Sequence, residues 1–184
     1  MTYQQIEQVV KHNLSEKRFY HSQCVAKQCE ELAKIYNVPI EKAKLVGIAH
    51  DIAKEMKKEE MIQYAKENSI KIDEIEKYHI KLLHAKIGAD ICKKQFSFDE
   101  QMVRAIEAHT TGKKQMDMLA KILFVADATG DDRSWEDLVD LRNTAKEDMN
   151  SAVLYILDLN IKERIEKKKM IHLDSIYCRN ELLM

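Results

Sequence analysis

Five side chains that could bind a metal ion fall in step with apolar neighbours on a helical repeat. His21 shares a face with Val25 and Leu32, and His50 with Ala43, Val46 and Gly47. His84 lies with Ile87, Gly88 and Ile91, His109 with Met102, Ala105 and Ile106, and Asp127 with Leu119, Ala120 and Leu123. Helical spacing aims each polar group at the interior or at a cleft. One such histidine alone is ordinarily a hydrogen-bonded core residue, and one aspartate near a helix end is ordinarily a cap. Several at once are different, because buried carboxylates and imidazoles satisfy one another poorly without a cation. Neutral imidazole and carboxylate are both good ligands for divalent first-row metals. Asp51 follows His50 directly within GIAHDIAKE. The adjacent pair cannot point the same way on a helix, so one is expected to bind a metal while the other bridges. His12 reads as a surface residue at a helix end and His79 as off the active face; His172, in the tail, could reach the cleft.

These residues need helices to hold them, and one proline and four glycines leave few breaks in the pattern. Ser15 is expected to cap a helix through SEKRFYHSQCVAKQCEELAKIYN, with His21, Val25, Leu32 and Ile35 inward. Asn37 to Pro39 reads as a turn, with Pro39 in the first turn of a helix over about Ile40 to Lys54. Further helices fit KKEEMIQYAKEN, IKLLHAKIGADICKKQF, SFDEQMVRAIEAH and QMDMLAKILFVADA, and two more fit Trp135 to Lys168. No alternating run suggests a strand, so the expected class is all-α. The cluster IKERIEKKKM reads as a solvated helix end. The tail IHLDSIYCRNELLM is expected to pack back through Leu182 and Leu183.

A chain of 184 residues suits a single domain over 1–184, with a core at about 15–130 and C-terminal helices and tail at 135–184 packed on it. Its 45% hydrophobic and 33% charged content is that of a globular protein. A net charge of −1 argues against extended nucleic-acid binding, though not against a local basic pocket. No apolar run approaches the roughly 20 residues of a membrane helix. The start, MTYQQIEQVVKHN, has neither the basic residues nor the apolar stretch of a signal peptide. Cys24, Cys29, Cys92 and Cys178 form no CxxC pair and read as reduced, mostly buried thiols. A cytoplasmic location is expected.

The ordered series His21, His50-Asp51, Asp127 resembles the H…HD…D signature of HD-domain phosphohydrolases, and His84 and His109 between them resemble the dinuclear version. The strings RFYHSQCVA, HDIAKE, LLHAKIGA, AIEAHTTGKK, ILFVAD and IHLDSIYCRN are similar to the matching segments of the YqeK family. Those small bacterial HD enzymes hydrolyse diadenosine tetraphosphate symmetrically to two ADP. The resemblance runs from about Arg18 to Asn180 and implies a compact helical HD-domain bundle with its metal site between core helices. It also implies that His21, His50, Asp51, His84, His109 and Asp127 bind two divalent or trivalent ions, commonly iron. Manganese, cobalt, nickel and zinc suit the same donors. Lys54, Arg18, Thr110, Thr111, Gly112, Lys113 and Arg133 match positions expected to face the substrate. One departure stands out: ATGDD (Ala128 to Asp132) replaces an Ile-Glu-Pro-like stretch, and the missing glutamate puts that loop in question.

Such a site would act on a polyphosphate whose charge repels hydroxide. Two cations lower the pKa of bound water and neutralise phosphoryl oxygens. Asp51, as bridge, and Lys54 are the expected catalytic groups, with Lys54 and Arg133 facing the charge on the leaving diphosphate. Tyr20, Tyr78 and Phe96 are candidates for stacking on bases. The partner is then a small dinucleotide rather than a nucleic acid or a membrane, and a homodimer could use helix faces around Trp135 and Leu154. Three other readings stay open: an HD phosphohydrolase for a nucleoside triphosphate or guanosine alarmone, a metal-dependent nucleotide-binding module without turnover, and a structural bundle.

Overall fold

Short polar residues punctuate the chain and set where its helices begin. Ser15, Asp99 and Asp117 each accept a hydrogen bond from the amide three residues on. Such caps satisfy amides that the first turn leaves without partners. The computed structural model describes residues 1–184, with eleven α-helices and no strand. In chain order they are α1 (Tyr3–Asn13), α2 (Glu16–Ile35), α3 (Ile40–Ala49), α4 (Lys58–Glu67), α5 (Glu74–Tyr78), α6 (Leu83–Phe96), α7 (Glu100–Ala108), α8 (Met118–Thr129), α9 (Leu138–Glu147), α10 (Met149–Glu166) and α11 (Leu173–Leu182). A short 3-10 turn, Ile80–Leu82, leads into α6.

The centre is a layer in which α2 packs on α3 and α8, and α7 packs on α6 and α8. Val25, Leu32, Ile48, Ile106, Leu119 and Leu123 fill it and are fully buried. The same apolar cluster continues through Ala152 and Leu157 of α10 to Cys178 of α11. A smaller cluster of Ala53, Met61, Ala65, Leu83 and Ile87 lies under α4.

Four expectations need correction. The helix expected to run to Lys54 ends at Ala49, with His50 as its C-cap. Beyond it the backbone closes i to i−3 bonds, from Ile52 N–H to Ala49 O, Lys54 N–H to Asp51 O and Met56 N–H to Ala53 O. Glu55 explains the change of path, because its carboxylate accepts from the Ser15 amide and hydroxyl at 2.6 Å each and draws this segment onto the start of α2. Ile35, expected inward, is 44% exposed at the end of α2, where no neighbour covers it. Leu182 packs on the core but Leu183 is exposed, because the tail forms α11 and ends there. Pro39 stands at the N-cap of α3, just before its first turn.

Candidate metal centre

Three of the four clustered imidazoles sit at helix ends. His50 and His109 are the C-caps of α3 and α7, and His84 is the second residue of α6. Each of these rings turns back onto the carbonyl three residues before it. His50 Nδ1 bonds the Gly47 carbonyl at 2.8 Å, His84 Nδ1 the Lys81 carbonyl at 2.6 Å, and His109 Nδ1 the Ile106 carbonyl at 2.7 Å. A carbonyl only accepts, so each Nδ1 carries the proton and each Nε2 presents a lone pair. Burial pushes the His50 and His84 imidazoles down to about 4, so both are neutral near pH 7. His21 comes from inside α2 and completes a row of rings, with centroids 5.4 Å from His21 to His50, 5.1 Å to His109 and 5.0 Å on to His84.

Those lone pairs converge. His84 Nε2 and His109 Nε2 are 3.1 Å apart, two acceptors facing each other. His50 Nε2 and Asp51 Oδ1 are buried with no hydrogen-bond partner. Asp51, placed past the end of α3, turns Oδ2 toward His50 Nε2 at 3.5 Å and Oδ1 toward His84 and His109 Nε2 at 3.3 and 3.5 Å. Burial works against its ionisation, but the polar groups packed around it, Lys54 among them, hold its carboxyl well below the usual range. Asp127, with Oδ1 3.0 Å from His21 Nε2, is likewise held far down, against burial, by the polar groups around it. His21, His50 and Asp127 form one compact set of donors, and His50, Asp51 and His109 a second. Adjacent neutral imidazoles and carboxylates with unpaired acceptors fit divalent first-row cations.

Basic residues ring this cluster. Arg18 donates to Asp51 Oδ2 at 3.0 Å, and Lys54 Nζ lies 3.0 Å from His84 Nε2 and 3.4 Å from Asp51 Oδ1. Arg133 donates to Asp127 Oδ1 at 2.7 Å and to the Asp127 carbonyl at 2.9 Å. Thr110 Oγ1 lies 3.2 Å from His84 Nε2 and 3.1 Å from His109 Nε2. Thr111 is pinned by α11, where Ser175 donates to its carbonyl at 2.7 Å, and Gly112 closes the turn onto the Ala108 carbonyl. Lys113 does not join the group; it is exposed and lies 3.4 Å from Glu107.

A cleft of about 520 Å³ opens beside the cluster, bordered by Lys54, His109, Thr110, Asp127, Arg133 and Trp135. A second, of about 220 Å³, is bordered by Thr111, Arg164 and His172. Thr110, Asn160 and Glu163 border both. None of the aromatic candidates borders either cleft: Tyr20 and Tyr78 are exposed, and Phe96 packs against Phe98 in the core. Phe124 and Trp135 border the larger cleft, the latter with its indole N–H on the Ala128 carbonyl. As the only tryptophan in the chain it was the available signal. His172 reaches the second cleft but is committed to Asp73 at 2.9 Å, beside a Glu76 already paired with Lys86, so that group forms a closed ion-pair network. His79 stays outside the cluster, at the C-cap of α5.

Residues 18–130 match the HD domain family. A symmetrical bis(5'-nucleosyl)-tetraphosphatase from Halalkalibacterium halodurans is 35% identical over 178 residues, covering 96% of this chain and 95% of that protein. The protein of the same description from Bacillus subtilis is 29% identical, covering 95% of this chain and 94% of its own. The crystal structure of an HD superfamily hydrolase from Clostridium acetobutylicum, described as involved in NAD metabolism, is 35% identical. It superposes with a TM-score of 0.96 over 100% of this chain and 97% of that one. Motif order, fold and near full-length similarity agree: the chain belongs to the HD-domain metal-dependent phosphohydrolases, among the symmetrical bis(5'-nucleosyl)-tetraphosphatases of the YqeK family.

Proposed function

We propose that this enzyme hydrolyses dinucleoside tetraphosphates symmetrically, turning diadenosine tetraphosphate and water into two ADP. One observation carries the reading: Nε2 lone pairs of His50, His84 and His109 and an unpaired oxygen of Asp51 converge at the mouth of a cleft that Lys54 and Arg133 line. His21, His50, Asp51, His84, His109 and Asp127 would hold two ions. Bound there, such ions supply Lewis acidity and lower the pKa of coordinated water. The family points to iron, and manganese, cobalt, nickel and zinc suit the same donors.

The chain's own groups do the rest. Lys54, Arg133 and Arg18 bring three positive charges to a polyphosphate chain, and the first two stand where charge grows on the departing diphosphate. Asp51 offers one oxygen to each side of the cluster. The Thr110 hydroxyl, at the junction of the two clefts, can donate to a phosphoryl oxygen. A nucleoside on each side of the centre fits two clefts that meet at Thr110, Asn160 and Glu163, with Trp135 as the stacking surface of the larger. Water attacks one of the two central phosphorus atoms; the central P–O bond breaks, the bridging oxygen leaves with the second ADP, and the two protons of the water are released as both products ionise. The substrate is a small cytoplasmic dinucleotide, and all six donors come from one chain, so a homodimer through the face around Trp135 and Leu154 is compatible but not required.

A substrate panel tests this. Metal-loaded enzyme should release ADP from diadenosine tetraphosphate faster than it degrades ATP, GTP, NAD or a guanosine tetraphosphate alarmone. Equal or greater turnover of a simple nucleotide would overturn the substrate assignment, and binding of the tetraphosphate without any product would make this a sensor.

A further inference from the structure

His50, His84 and His109 each orient through a carbonyl three residues back. His21, inside α2, does not. Its Nδ1 instead meets Asp132 Oδ2 at 2.8 Å, across 111 positions of sequence, while its Nε2 faces Asp127 Oδ1 at 3.0 Å.

The loop that delivers Asp132 is built for the purpose. Arg142 donates to the carbonyls of Thr129 and Gly130 at 2.9 and 2.8 Å, and the Arg133 amide closes a turn onto Gly130 O at 3.0 Å. Gly130 leaves the room: a Cβ there would lie 2.9 Å from Asp132 Oδ1, with its next neighbours at 3.5 Å (Cys24 Cβ) and 3.6 Å (Ala126 O). Its backbone, at φ −51° and ψ 157°, is open to any residue, so the need for glycine at 130 is the space that Asp132 takes.

We infer that Asp132 is a positioning residue for the metal centre: it accepts the Nδ1 proton of His21 and so fixes Nε2 as the lone pair offered beside Asp127. A carboxylate behind an imidazole fixes its tautomer and ring orientation and raises its basicity, and losing such a partner typically lowers metal affinity by about 10–100-fold. The two donor sets are then supported differently, one imidazole by a charged carboxylate and the others by neutral carbonyls. This rests on the two-metal reading above.

The test titrates metal-free protein with Co²⁺, following visible absorption and elemental stoichiometry, for wild type, Asp132→Ala and Gly130→Ala. Wild type should bind two ions. Both variants should bind one ion as wild type does and the second about 10–100-fold more weakly. Gly130→Ala meets only the end of one side chain, so its thermal midpoint should stay the same or rise slightly. Two ions bound by either variant with wild-type affinity would overturn the role of Asp132. A wild type that binds no ion would overturn the metal reading itself, and this inference with it.

Discussion

Gly47→Ala probes how closely two core helices must approach for the centre to exist. A Cβ at 47 would lie 2.6 Å from Ala26 Cα, 3.0 Å from Ala26 N and 3.2 Å from Cys29 Sγ. The two nearest atoms are backbone of α2 and cannot rotate away. Ordinary carbon contacts are about 3.5–4.0 Å, so α2 and α3 must part by about 1 Å. Helix propensity favours alanine by about 1 kcal/mol, while overpacking of this kind costs about 1–3 kcal/mol. With rigid backbone on both sides the upper end applies, for a net loss of about 2 kcal/mol. For a chain of this size that lowers the thermal midpoint by about 4–8 °C. The same shift separates His21 on α2 from His50, whose Nδ1 holds the Gly47 carbonyl at 2.8 Å. Metal distances tolerate only about 0.2 Å, so Co²⁺ affinity should fall with stability. Thermal unfolding with and without chelator, followed by metal titration, is the assay. An unchanged or higher midpoint with wild-type affinity would refute the packing argument.

Three further outcomes are expected. Lys54→Ala or Arg133→Ala should lower kcat by about 10²–10³ for loss of one charged donor, with metal content by elemental analysis unchanged; a variant at wild-type rate would remove that residue from catalysis. Trp135→Ala should raise KM for diadenosine tetraphosphate about 5- to 150-fold, corresponding to about 1–3 kcal/mol of base stacking; an unchanged KM would place the nucleoside elsewhere. In chelator, stability should fall as pH drops from 6.5 toward 4. Between those values the unfolded chain binds protons that native His50 and His84, held down to about 4 by burial, refuse. The loss is at most about 3 kcal/mol per imidazole, and the depressed carboxyls of Asp51 and Asp127 add to it only below the ordinary aspartate range; urea midpoints that stay flat from pH 7 to 4 would contradict this.

The gathering of the centre was legible because each clustered imidazole falls in step with residues such as Val25, Val46, Ile87 and Ile106, and a helical core must bring those stripes together. The end of α3 was not. Ile48, Ala49, Ile52 and Ala53 are all buried, and i to i−3 turns present an apolar pattern much like that of a continuing helix. What tells them apart is Glu55 on Ser15, a contact across 40 positions that leaves no local trace. Asp132 escaped for the same reason: in ATGDD it looks like a solvated loop acid, and only the fold sets it behind His21. Tyr20 precedes His21 in sequence, yet one helical step of about 100° turns it to solvent.

The most direct measurement is anomalous diffraction from crystals of the metal-loaded protein. Two peaks should appear inside the cluster, one beside His21, His50 and Asp127 and the other beside Asp51, His84 and His109. Peaks elsewhere, as at Asp73 and His172, or none in protein that still cleaves diadenosine tetraphosphate to ADP, would contradict the account.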